Sequence, residues 1–144
     1  MVILVGMAVS SPISATFALM GSTVGTLTGV AMGVGRAAIA SGAYGFNGCL
    51  VSISLGGLFF VANSFKMVVY VMLAVVFATI LQASLATLMT PVGLPCLTLP
   101  FILITWLWIY AGSSISGLFP VDITTVTIAE DHIKRVKLAQ KMTS

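Results

Sequence analysis

Apolar stretches without charge, interrupted by short polar or proline-bearing breaks, set the plan of this 144-residue chain. Five such runs stand out, at residues 1–9, 13–34, 49–61, 67–90 and 101–119. A bilayer core takes about 20 residues of helix, and with the first run taken as partial the other four are read as full spans. The first is short and has no basic stretch ahead of it, so it reads as a cut span rather than a signal peptide. The pattern predicts an all-α, polytopic helical membrane protein of about five transmembrane segments.

Within the second run Gly21, Gly25, Gly29 and Gly33 recur every four residues and share one side of a helix. Small residues so spaced let backbones approach closely in lipid, where packing drives association. The simplest use is a packing face within the chain. Arg36 ends that run, and Gly42, Gly45 and Gly48 follow it densely enough to weaken a helix by up to ~1 kcal/mol each. An opened backbone presenting Phe46 and Asn47 is expected there. Asn63, Ser64 and Lys66 form the next polar turn. Gln82, Ser84 and Thr87 sit in the longest run, where such residues most often join helices to one another.

The break between the last two runs is of another kind. Leu94-Pro95-Cys96-Leu97-Thr98-Leu99-Pro100-Phe101 holds two prolines, each of which removes a donor and pushes the residue before it towards an extended conformation. No continuous helix passes through it. Irregular backbone among membrane helices persists only where protein buries it or a polar cavity meets it. Thr98, between the prolines, is therefore expected to face a pore or a packed interface, or else to cap the helix that starts near Pro100.

Composition agrees with the hydropathy pattern. At 59% hydrophobic, 6% charged and a mean hydropathy of +1.18, the chain lacks the charge that coats a soluble globule. Only Arg36 and Lys66 are charged before residue 122, and the other seven charges and His132 lie in residues 122–144. If successive breaks alternate sides, five of the six Lys and Arg fall on the tail's side, which the positive-inside rule makes cytosolic. Residues 131–141 suit a basic amphipathic helix against anionic headgroups, or a solvated tail. That charge speaks to orientation, not to nucleic acid. Cys49 and Cys96 have no CxxC spacing or clustered His, so no metal site and no cofactor is expected.

No acid, base or nucleophile pair lies among the apolar runs, which argues against an enzyme. Missing carboxylates argue equally against proton or sodium coupling. A neutral solute fits better. An odd number of spans is also what an inverted repeat needs, because two such halves surround a midplane site.

Two motifs carry a family resemblance. LPCLTLPF, with Leu94, Pro95, Thr98, Pro100 and Phe101, resembles the L-P-x-x-T-x-P-F signature of urea transporters, and GAYGFNG, with Gly45 and Asn47, resembles their G-x-x-G-[FY]-N stretch. The tail is similar to that of the animal members, so residues 1 to about 141 resemble the second of two homologous halves. A transmembrane domain at 1–119 and a cytosolic tail at 120–144 follow from this. The resemblance implies a passive plasma-membrane urea channel, trimeric, with a pore between the halves of each protomer. Phe46 matches a slot residue that clamps the urea plane, and Leu50 and Thr98 match mid-pore positions. The family's second half opens with a re-entrant Q/E-x-x-F-x-N-N-P segment that this sequence lacks, as it lacks the first half. The expectation is a fragment or half-length chain that needs the missing half, or a second chain, to conduct. The competing readings are a non-conducting membrane interaction protein built on the glycine stripe and half of another small-solute channel.

Overall fold

In a computed structural model of the chain, the described residues are 6, 9–62, 64–121 and 128–143, so the expectations for most of residues 1–9 and for Asn63 lie outside them. Helix α1, Pro12–Ala31, starts where extended Ser11 turns its Oγ onto the Ser14 amide and Pro12 supplies a preset φ. It ends short of residue 34. Gly33 has φ +73°, its amide bonds Val30 and the Val34 amide bonds Gly29, which together close the helix in a Schellman turn.

Gly33 is thus a correction to the expected packing stripe: it is exposed and nothing stands within 4 Å of where its Cβ would be. Its spacing matches the stripe, but its backbone has already left the helix. Gly21, Gly25 and Gly29 are buried against the next long helix.

A short helix α2, Arg36–Ala40, leads through left-handed Gly42 into α3, Ala43–Ile53. The opened backbone expected over Gly42 to Gly48 is not there, and α3 runs regularly through Gly45 and Gly48. Their missing side chains let α1 approach: a Cβ on Gly45 would meet the hydroxyls of Ser22 and Thr26, and one on Gly48 the carbonyl of Gly21. Close packing outweighs the weak helix propensity of glycine. The irregularity lies further on, in a π-helical turn over Ser54–Phe59. There Gly56 lies against the ring of Phe17.

Helix α4, Phe65–Met89, is capped by the Ser64 hydroxyl on the Lys66 amide and continues as a 3-10 turn, Thr90–Val92. Together with α1 it is long and apolar enough to cross a membrane. Helix α5, Leu99–Gly112, has 14 residues, about 21 Å at 1.5 Å each. The fifth run is therefore not one continuous helix: residues 113–119 leave it through turns that include Gly117 at φ +97°. The apolar stretch 43–59 is likewise shorter than α1. Helix α6, Ala129–Thr143, forms the tail.

Helices α1, α3 and α4 pack on one another, and α5 packs on α4 and α3. Val51, Leu55, Met67, Val71 and Val75 are fully enclosed. Tyr70 and Trp108 lock α4 to α5 reciprocally: the Tyr70 hydroxyl donates to the Trp108 carbonyl at 2.6 Å, and the Trp108 indole donates to the Tyr70 carbonyl at 3.3 Å. Outside, Phe65, Val69, Leu73 and Phe77 form an exposed stripe along α4, and Trp106, Leu107 and Tyr110 another on α5. Inside lie Asn47, Ser52, Thr79, Gln82 and Thr105. Large apolar groups exposed outside and polar groups enclosed among the helices suit a lipid environment.

The breaks alternate ends. Val61 donates to Phe119 and Val121 to Phe59, so the chain after the π turn pairs with the chain after α5. At that same end the first turn of α6 meets the start of α1, where Glu130 Oε1 accepts from the Ile13 amide at 3.0 Å and the Ser11 hydroxyl at 3.1 Å. Lys66 and the tail share this end. Arg36 lies at the other, where Val34 and Gly35 meet Thr90 and Pro91.

Candidate functional site

Helix α3 has two unlike sides. Tyr44, Asn47, Gly48 and Val51 are buried, whereas Phe46 is 56% exposed and Leu50 half-buried. Phe46 and Leu50 are four residues apart and so stand one above the other on the same face. An aromatic ring and an aliphatic side chain thus line a strip of α3 that the bundle leaves uncovered.

Asn47, the next residue round, points inward. Its Nδ2 donates to Gln82 Oε1 at 2.7 Å, to the Leu97 carbonyl at 3.1 Å and to the Ala43 carbonyl at 3.3 Å. One amide therefore ties α3, α4 and the proline-bearing loop together. All three partners are oxygens, which sets the orientation of the amide. Its Oδ1 is buried without a partner.

Leu97 adopts φ +46°, alone among the described non-glycine residues in lying at positive φ. Such a conformation costs about 1–2 kcal/mol and persists where surrounding contacts impose it. Gln82 lies ten residues before Val92, where α4's helical course ends. At 1.5 Å per residue the loop, held at the level of Gln82, has come back about 15 Å along α4. Helix α5 therefore begins inside the bundle rather than at its end. Ser41, Tyr44, Gln82, Pro95 and Leu97 border an open cleft of about 320 Å³ beside it.

Thr98 is half-buried at the N-cap position of α5, yet its side chain makes no capping bond; φ −95° and ψ 7° lack the extended geometry a cap uses. Its carbonyl accepts from Ile102 at 3.1 Å. The expected alternative, Thr98 as a side-chain cap, does not hold. Pro100 is enclosed in the first turn and Phe101 packs on the core, while Leu94 and Pro95 stay exposed. Two turns along α5, Thr105 Oγ1 is a second buried group without a partner.

The structure brings Asn47 to the residue before Thr98 and so joins the helix carrying Phe46 and Leu50 to the break. From the sequence, Gln82 is expected only as a helix-joining residue, not as part of this centre. A carboxamide in an uncharged run of that length was the available signal, since lipid offers it no partner. Chemically the site presents an aromatic face, a hydroxyl, amides and carbonyls. Cys49 and Cys96 are free thiols, and no group of three or more His, Cys, Asp or Glu gathers among the described residues. The aromatic face, hydroxyl, amides and carbonyls are chemically able to hold and orient a small polar solute.

The urea transporter family model matches residues 1–137. The chain belongs to the urea transporter family. It is 31% identical over 123 residues to urea transporter 1 of the sheep, Ovis aries, and equally to that of the goat, Capra hircus. With the rat protein of the same name, Rattus norvegicus, identity is 28%. Each match covers 85% of this chain and 32% of the relative, so the chain spans about a third of the relatives' length. Within the family frame the two motifs are in contact, through Asn47 of one and Leu97 of the other.

Proposed function

We propose that this chain supplies one wall of a passive, channel-like path for urea, completed by a first homologous half to form a protomer of a trimeric plasma-membrane channel. The observation that supports the reading is the tie from Asn47 to Leu97, which holds the residue before Thr98 to the helix that carries Phe46 and Leu50, while the Thr98 hydroxyl makes no capping bond. Urea is a planar molecule with one carbonyl and four N–H donors. An aromatic face suits its plane, and a hydroxyl or carbonyl oxygen suits its edge. The path runs between the halves of an inverted pair, which places the broken helix near the midplane. No charge enters such a path, so transport needs no coupled ion.

The two-half requirement has a physical basis. Leu94, Pro95 and Leu97 carry non-helical backbone on an exposed face, and each backbone group left unsatisfied in lipid costs several kcal/mol. A partner covers that face. Urea permeability in proteoliposomes tests the reading, with this chain alone and with it joined to a first half. The joined protein is expected to conduct and the chain alone is not. Absent flux from the joined protein overturns the urea assignment, and saturable flux from the chain alone overturns the two-half requirement.

A further inference from the structure

We infer that Asn47 and Gln82 are positioning residues of the path: their amide pair holds the Leu97 carbonyl, and through it the backbone turn that aims Thr98. This rests on the proposed urea path and names two residues that act on it without touching solute. Little else anchors the turn. Pro95 removes one amide from the loop, whose own backbone bond is the one from Leu99 to Cys96 at 3.1 Å. Burial does not hold it either, because the Leu97 side chain is 71% exposed. A leucine at φ +46° relaxes when nothing constrains it. The constraint is the Asn47 amide.

Gln82 anchors that amide to α4. With Gln82 Oε1 accepting at 2.7 Å, the amino end of Asn47 is fixed toward the Leu97 carbonyl. Without that acceptor only the Ala43 and Leu97 carbonyls hold the amide, and its tie to α4 is lost. The hold on the Leu97 carbonyl would loosen, and the turn with it. Simple packing glue between α3 and α4 would need only the Asn47–Gln82 bond. The further bond to the residue preceding Thr98 is what makes the pair a positioning device.

The test uses the complete two-half protein and its native Cys96, a half-buried free thiol one residue from Leu97. Thiol labelling is mapped by mass spectrometry to separate Cys96 from Cys49, and urea and N-methylurea permeabilities are measured in proteoliposomes. Gln82→Leu is expected to label Cys96 faster, to lower urea permeability roughly five- to ten-fold and to narrow the urea preference. Gln82→Glu, which still offers an acceptor at the same place, is expected to restore both. If Gln82→Leu does not assemble, Gln82→Met of similar length takes its place. Unchanged labelling, or faster labelling with unchanged urea preference, overturns the positioning role. Wild-type protein that fails to conduct urea instead overturns the underlying path, while Cys96 labelling still reports whether the pair holds the turn.

Discussion

Gly21 and Gly48 face each other so closely that a Cβ on either would fall against the carbonyl oxygen of the other. Helices α1 and α3 touch there backbone to backbone. Ser52 adds to the contact, donating to the Phe17 carbonyl at 2.6 Å. Because the obstacle is backbone, no rotamer change relieves an added methyl.

Gly21→Ala and Gly48→Ala are therefore expected to destabilise the protein by about 1–3 kcal/mol or more, the range for overpacked cores. Gly33→Ala has open space around it and bears only the strain of its positive φ, about 1–2 kcal/mol. Thermal unfolding in detergent should rank Gly33→Ala as the mildest of the three. A Gly33→Ala protein as unstable as Gly21→Ala would contradict the packing account.

Thr98→Val keeps the shape of the side chain and removes its hydroxyl. In the complete protein it is expected to lower urea permeability roughly five-fold or more, as a lost solute hydrogen bond predicts, with surface expression unchanged. Normal flux would remove Thr98 from the path.

Glu130 links the tail to the start of α1, and its ionisation is tied to that docking. Burial alone would raise its carboxyl pKa. The hydrogen bonds from the Ile13 amide and the Ser11 hydroxyl, aided by its own helix start and the Lys134 charge, outweigh burial and hold it below the usual glutamate value. A lowered pKa means that docking favours the ionised form. Its contribution is complete above the unfolded glutamate pKa of about 4.3 and fades as pH falls through the lower folded value. Tail docking is expected to be constant near neutral pH and weaker in acid, with Glu130→Gln as weak at every pH as the wild type is in acid. Hydrogen exchange at the Ile13 amide reads this directly; equal protection in wild type and Glu130→Gln would refute the latch.

Orientation follows from charge. Lys66 and the tail's basic residues share one end and Arg36 lies at the other, so the tail end is expected to be cytosolic. A tag after Ser144 should resist an impermeant reagent in intact cells, whereas a cysteine introduced in the Arg36–Ala40 segment should react. The reverse pattern would invert the topology.

Much of this was legible in the chain itself. Pro95 and Pro100 forbid a continuous helix wherever they are placed, because the missing amide and fixed φ are properties of the residue. The uncharged runs demand lipid or a buried core, and the expected orientation rests on the grouping of the charges. Gly21, Gly25 and Gly29 announce close packing by spacing alone. In each case the decisive physics lies within a residue and its near neighbours.

Other features depended on what the chain meets after folding. Gly33 and Gly29 look alike in sequence, yet one packs inside a helix and the other ends it, since only the folded backbone decides which glycine takes positive φ. Gly45 and Gly48 suggest a weak helix in isolation, and contact with α1 makes them its closest packing points. Leu97 reaches its unusual φ because an amide fifty residues earlier holds its carbonyl, and Glu130 stabilises a helix start 117 residues before it. Proline geometry and hydropathy are local and can be read from sequence. A hydrogen-bond partner is chosen by which groups share a buried space, and tertiary structure alone brings them together.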